Sequence, residues 1–298
     1  MGSAEAIETR MIAVAKVDPN QRTWSKASSQ RELDSVARFT DPGERAALDL
    51  VREEIRDEPI LDIGVGTGRT IPLLRPLTSD YRALDYLPAM VEVSRRRYPE
   101  ARIDVGDARD LSGYPAGHFG FVNFSFSGID AVGAKDRRLV LRAVHRVLAP
   151  AGIFLLSTLN IDGPSYRERP WKVRLWPTRN PIRIARQIAT QVAGAPLNML
   201  HWLRLKKQTE RGFGYAVAPL SAHHYGIMAH YTTLQRQLRE LEEEGFASDI
   251  PVFESRRGKR VSLGDDTSRV DWFHLVSRRL QRAEDGASLR GARPSPNR

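Results

Sequence analysis

The stretch Ile60-Leu61-Asp62-Ile63-Gly64-Val65-Gly66-Thr67-Gly68-Arg69-Thr70 constrains the fold of this chain more than any other. A short apolar run that ends in three alternating glycines predicts a strand entering a tight turn, and the polar residues after it predict the start of a helix. Glycine adopts positive φ without steric cost and lets a ligand approach bare main chain. The helix start would offer unpaired N–H groups to an anionic group. Such a βα turn belongs to an α/β fold and places a nucleotide-like ligand at the end of the first strand.

The spacing narrows the ligand. A dinucleotide-binding turn reads G-x-G-x-x-G, whereas here the glycines fall at Gly64, Gly66 and Gly68, with an acid, Asp62, two places before the first. That carboxylate suits a ligand with a cationic amino group better than a pyrophosphate. Tyr81-Arg82-Ala83-Leu84-Asp85 reads as a second strand ending in an acid about twenty residues past the first glycine, a spacing suited to ribose hydroxyls. Tyr86, Leu87 and Met90 follow, apolar enough to wall a base. Residues 101–105 read as a third strand leading to the loop acid Asp107, next to Ala108. Phe119 to Phe126 contains a fourth strand, with Phe124 and Ser125 at its end, and Gly152 to Thr158 a fifth.

The motif Asp62-x-Gly64-x-Gly66-x-Gly68, with the acids that follow it in order, resembles the class I S-adenosylmethionine (SAM)-dependent methyltransferases of the small-molecule type. The resemblance covers roughly residues 58–160 closely and the end of the chain more loosely. It implies a doubly wound, mostly parallel, seven-stranded sheet with helices on both faces, SAM as cofactor and S-adenosylhomocysteine as product. It implies a cofactor site formed by Asp62, Gly64, Gly66, Gly68, Asp85, Tyr86, Met90, Asp107, Ala108, Phe124 and Ser125. In the family the acid matched by Asp107 faces the adenine amino group.

The remaining chain divides into a polar N-terminal lid at 1–40, the binding core at 41–160, a basic cap insertion at 161–231, the last part of the core at 232–279 and a disordered tail at 280–298. Asp41-Pro42 predicts a helix start, with the cap and proline in their favoured places. Leu139, Val140, Ala143, Val144, Val147 and Leu148 form one apolar helical face. Within the insertion, 182–190 and 197–206 read as two helices split by Gly194-Ala195-Pro196, after a loop anchored by Trp171 and Trp176. Thr232 or Thr233 caps a helix with Leu234, Leu238 and Leu241 inward, closed by Gly245. Residues 246–253 and 270–277 then resemble the family's last antiparallel hairpin.

For the methyl acceptor, the segment His223 to Tyr231 gathers three of the seven histidines and two tyrosines. His224, His230, Tyr231 and Tyr225 are the candidates for acceptor binding and base catalysis. The absence of cysteine excludes disulfides, thiolate metal sites and thiolate nucleophiles, and no ligand cluster predicts a metal. The N-terminus shows no basic flank followed by an apolar core, so the expectation is a soluble, cytoplasmic protein.

The net charge of +10 is concentrated: residues 161–211 hold eleven basic and three acidic residues. Three uses of that segment are open: closing over an anionic or natural-product-like small-molecule acceptor for N- or O-methylation, binding or modifying RNA, or resting on a membrane surface as a basic amphipathic element. Exocyclic-amine methylation of nucleic acid is disfavoured, because Asn123-Phe124-Ser125-Phe126 lacks the proline pair of enzymes with that activity. A SAM-binding protein that does not methylate would carry the same motifs.

Overall fold

In a computed structural model the described residues are 18–280, apart from 27, 30, 32, 34–38, 174, 176, 177 and 248. Most of the expected lid at 1–40, the tail beyond Leu280 and Trp176 therefore lie outside the described residues.

Strands β1 (Ile60–Ile63), β2 (Tyr81–Asp85), β3 (Arg102–Val105), β4 (Phe119–Phe124) and β5 (Leu148–Asn160) pair in parallel in the order β3-β2-β1-β4-β5. β10 (Trp272–Arg278) runs antiparallel along β5, and β9 (Val252–Glu254) antiparallel along β10. These are the seven strands expected. Three more extend the same sheet: β8 (Ile227–Thr232), β7 (Tyr215–Leu220) and β6 (Glu210–Gly212) form an antiparallel meander. β8 joins β5 in parallel only through Leu159 and Asn160, which pair with Tyr231 and Thr232.

The sheet is wound on both faces, so its central strands are buried on both sides and read as continuous apolar runs. On β5, Phe154 and Leu156 pack toward helices α4 (Arg137–Val147) and α6 (Leu234–Glu243). Ile153 and Leu155 pack toward α2 (Pro42–Val51) and α3 (Pro88–Arg97). That alternation is the two-residue period of a strand between two helical layers.

Local chemistry sets the helix ends. Asp41 accepts the Glu44 N–H at 2.8 Å, with Pro42 in the first turn, and Thr233 accepts the Arg236 N–H at 3.3 Å. Gly245, at φ +90°, lets the chain leave α6. On α4 the inward residues are Val140, Leu141, Val144 and Val147, while Leu139, expected inward, is 46% exposed. The helix opening at Thr70 is one turn long, Ile71–Leu74, and passes into a 3-10 turn at Arg75–Leu77. Pro76 lacks the N–H that a continuing α-helix needs.

The insertion differs most from expectation. α5 (Pro181–Lys206) is a single helix of 26 residues with Pro196 inside it. Pro196 and Val192, whose carbonyl loses its partner, are both exposed residues, on the side of the helix open to solvent. The cap is also not purely helical, since β6, β7 and β8 make up its second half. Pro219 is tolerated in β7 because β6 covers only Tyr215, Ala216 and Val217, leaving Pro219 on an open edge.

Candidate functional site

The C-terminal ends of β1, β2 and β4 converge on a cavity of about 640 Å³. Gly66 in the turn after β1 has φ +56°, and a Cβ there would meet no atom within 4 Å, because the position faces the cavity. Gly68 differs: at φ +93°, a Cβ would stand 2.6 Å from the Tyr98 ring, so it serves packing. Asp85, at the end of β2, closes the turn. Its two oxygens accept the Gly66 and Leu87 N–H groups, each at 2.9 Å. Burial pushes its carboxyl up to about 6, against the pull of those two hydrogen bonds.

Gly64, Tyr86, Met90, Asp107, Ala108, Phe124 and Ser125 line the cavity together with Gly66 and Asp85. Asp107 is held by Arg109, whose side chain donates to both carboxylate oxygens at 2.6–3.0 Å and whose N–H donates at 2.9 Å. Arg109 also reaches Asp136 at 2.7 Å, tying the adjacent loops together. Ser125 accepts from Arg69 at 2.8 Å, and Arg69 forms a two-point pair with Glu44 at 2.6 Å.

Asp62 and Gly68 are not on the cavity wall. Asp62 lies beneath the turn, fully buried, and accepts from the Thr70 hydroxyl, from the Tyr81 hydroxyl at 2.8 Å and from Asn123 Nδ2 at 2.8 Å. It fixes the turn to β2 and β4, and so shapes the site without lining it.

The four acceptor-side candidates also fall outside the lining. His224 points outward, with its Nδ1 2.9 Å from Asn198 Oδ1 on α5. Tyr225 and Tyr231 are buried among protein groups, and burial raises both phenols, Tyr225 to about 12. His230 is buried and stacked on Tyr215 at 5.3 Å, and burial, with the nearby Arg137 and Arg236, drives its imidazole far below the usual histidine range. A ring so disfavoured as a cation is a poor proton acceptor.

His223 occupies the wall instead. Residues 223, 224 and 225 have φ of +51°, +57° and +58°, a left-handed run in which His223 lines the cavity and His224 is exposed. Leu159, Val217, Leu220, Ile227 and Ala229 make this end of the cavity largely apolar, with Gln208 beside them. The N-terminal helix α1 (Pro19–Trp24) closes over the opening. Asn20 bonds both backbone groups of Met228 at 2.7–2.8 Å, Thr23 donates to the Gly226 carbonyl at 2.7 Å, and Trp24 stands edge-on to Tyr86 and His223. Asn20 and Trp24 sit in the polar stretch expected as a lid, where Trp24 stands out as a large apolar residue but no motif assigns either of them to the site.

None of the described basic residues of 161–211 lines this cavity. Arg167, Arg169 and Lys172 line a separate cleft of about 610 Å³ with Tyr166 and Tyr215.

A parallel sheet with a glycine turn, a ribose-spaced acid and a cavity at its C-terminal edge defines a Rossmann-like domain built for a nucleoside-type ligand. Residues 60–152 match the methyltransferase domain family, and the fold is the Rossmann-like one of class I SAM-dependent methyltransferases. It is 32% identical to the demethylmenaquinone methyltransferase of Thermotoga maritima, over 36% of this chain and 45% of that protein. It is 30% identical to the malonyl-[acyl-carrier protein] O-methyltransferase of Halorhodospira halophila, over 53% of this chain and 50% of that protein. The match thus spans about half the length of these relatives. Among solved structures, the fold is shared with the 1,6-didemethyltoxoflavin-N1-methyltransferase of Burkholderia thailandensis. That match has a TM-score of 0.53, 12% identity and 88% coverage of both chains.

Proposed function

We propose that this protein transfers the methyl group of SAM to an apolar, ring-bearing small molecule. The observation that carries the reading is the single cavity with two unlike ends, one built from the glycine turn, Asp85 and Tyr86, the other from Leu159, Val217, Leu220, Ile227 and Ala229. The residues fit the cofactor: open space at Gly66 admits the ligand against main chain, and Asp85 keeps acceptor capacity beyond its two backbone bonds.

Bound SAM supplies a methyl group already activated by its sulfonium. The chain then has to align the acceptor atom with that methyl and exclude water. Asp85 would take the ribose hydroxyls, and Tyr86, Leu87 and Met90 would wall the base. α1 shields the opening, and His223 is the group placed to accept a proton from a hydroxyl or amine acceptor. A largely apolar wall suits a hydrophobic ring better than a phosphate or carboxylate, to which the described residues of that end offer no Lys or Arg. It accords with relatives named for demethylmenaquinone methylation and for ubiquinone biosynthesis.

The test is calorimetric titration with SAM and S-adenosylhomocysteine, followed by a methylation screen of phenolic and quinol-type acceptors. Wild-type protein should bind both ligands and Asp85→Ala should bind neither. Cofactor binding without turnover on any acceptor would favour the non-methylating reading, and undiminished binding by the variant would refute the site.

A further inference from the structure

Helix α5 turns a large apolar surface outward. Its partly buried side mixes Gln187, Gln191, Asn198 and His201 with Ile184, Met199 and Trp202, and Leu205 is its only fully buried apolar side chain. Polar groups of this side grip the turn that bears His223: Asn198 Oδ1 lies 2.9 Å from His224 Nδ1, and His201 Nδ1 lies 2.9 Å from the His224 carbonyl. The opposite side is apolar and exposed, with Ile182 at 77%, Val192 at 60%, Leu200 at 59% and Leu203 at 51%. The preceding loop continues this surface with Trp171 and Val173, both more than half exposed.

Charge says what covers this face. The 26 residues of α5 include no Asp or Glu, whereas Arg183, Arg186, Arg204 and Lys206 are all exposed beside the apolar stripe. Trp202 stands edge-on to Trp171 at 5.1 Å, and the Lys206 ammonium lies 4.5 Å from the Trp202 ring centre. An apolar stripe flanked by cations and bordered by tryptophans matches the interfacial layer of a bilayer with anionic headgroups. A second copy would bring the same cationic flanks against themselves with no acid on the helix to offset them. No described helix is long and apolar enough to cross a membrane, so α5 would lie in the surface plane.

We propose that α5 is a docking surface for an anionic lipid bilayer, with its Ile182, Val192, Leu200 and Leu203 face in the headgroup–acyl boundary. Gln208, just beyond the helix, and His223, held by its inner side, both line the acceptor end of the cavity, so docking brings that end to the lipid surface. The lipid contact stands on the helix alone and does not depend on the methyl-transfer reading.

Co-sedimentation of the full chain with phosphatidylcholine vesicles, with and without phosphatidylglycerol, tests this. Wild-type protein should sediment with the anionic vesicles, weakly with the neutral ones, and less as salt is raised. V192D/L200D and R186E/R204E should each lower partitioning by about tenfold or more while SAM binding is unchanged. If V192D/L200D does not fold, the milder Leu200→Ser with the wild-type salt series replaces it. Absence of wild-type sedimentation, or equal binding to neutral vesicles, overturns the proposal. So does a solution dimer, seen by light scattering, that L200D splits, because the face would then be an interface between copies.

Discussion

At Asp85 the demands of folding and of ligand binding oppose each other. Burial raises its carboxyl to about 6 from an ordinary value of 3.8, so ionised Asp85 costs the fold free energy above about pH 6, and that cost vanishes below 3.8. Stability contributed by this group therefore falls as pH rises through that window, while its capacity to accept hydrogen bonds from two hydroxyls grows. SAM affinity should thus be highest above pH 7 and roughly tenfold weaker at pH 5, a difference that calorimetry at the two pH values would measure. A flat profile would mean that Asp85 does not contact the ligand as an anion. The histidines give a second prediction: His223→Ala should slow methyl transfer about a hundredfold with SAM affinity unchanged, whereas His224→Ala should leave turnover near wild type. Asp85 could be read from its distance to the glycine turn, because strand, turn and acid are local. Choosing between His223 and His224 required the left-handed run at 223–225, which no spacing rule encodes.

At the scale of elements, the turn after β1 depends on an acid that sequence assigned to the ligand. Removing Asp62 leaves the Thr70 and Tyr81 hydroxyls and the Asn123 amide without their shared buried acceptor. Asp62→Ala should lower unfolding free energy by about 2–4 kcal/mol in urea titration, while Asp85→Ala should cost far less stability for a larger loss of SAM binding. Equal destabilisation by the two would erase the distinction between supporting and lining acids. Both acids occupy motif positions, so the motif could not separate them; the separation comes from β2 and β4 packing around Asp62. Helix α5 is the contrasting element. With one buried apolar side chain it gains little from tertiary packing, so its amides should exchange with solvent much faster than those of β4 and β5. Its two halves read as separate helices because Pro196 is a helix breaker in isolation, and only its exposed setting explains why the helix continues.

Across the whole molecule, the cavity joins two parts of the chain with different legibility. The cofactor wall comes from consecutive βα units, whose contacts are short in sequence and whose motifs survive as text. Apart from Leu159 of β5, the apolar acceptor wall comes from β7 and β8, and β8 pairs with β5 through a two-residue parallel contact. Nothing in the text of residues 210–232 marks that non-local pairing, so the insertion read as helical and its strands went unseen. The same division makes the two ends separable by mutation. Leu220 lies at the acceptor end and, in β7, is remote in sequence from the glycine turn, so Leu220→Trp should fill that end and leave Asp85, Gly66 and Tyr86 in place. SAM affinity should then stay within about twofold of wild type while kcat/KM for the acceptor falls about a hundredfold. A parallel loss of SAM affinity would show that the two ends form one binding site rather than two adjoining ones, and an unchanged kcat/KM would place the acceptor elsewhere.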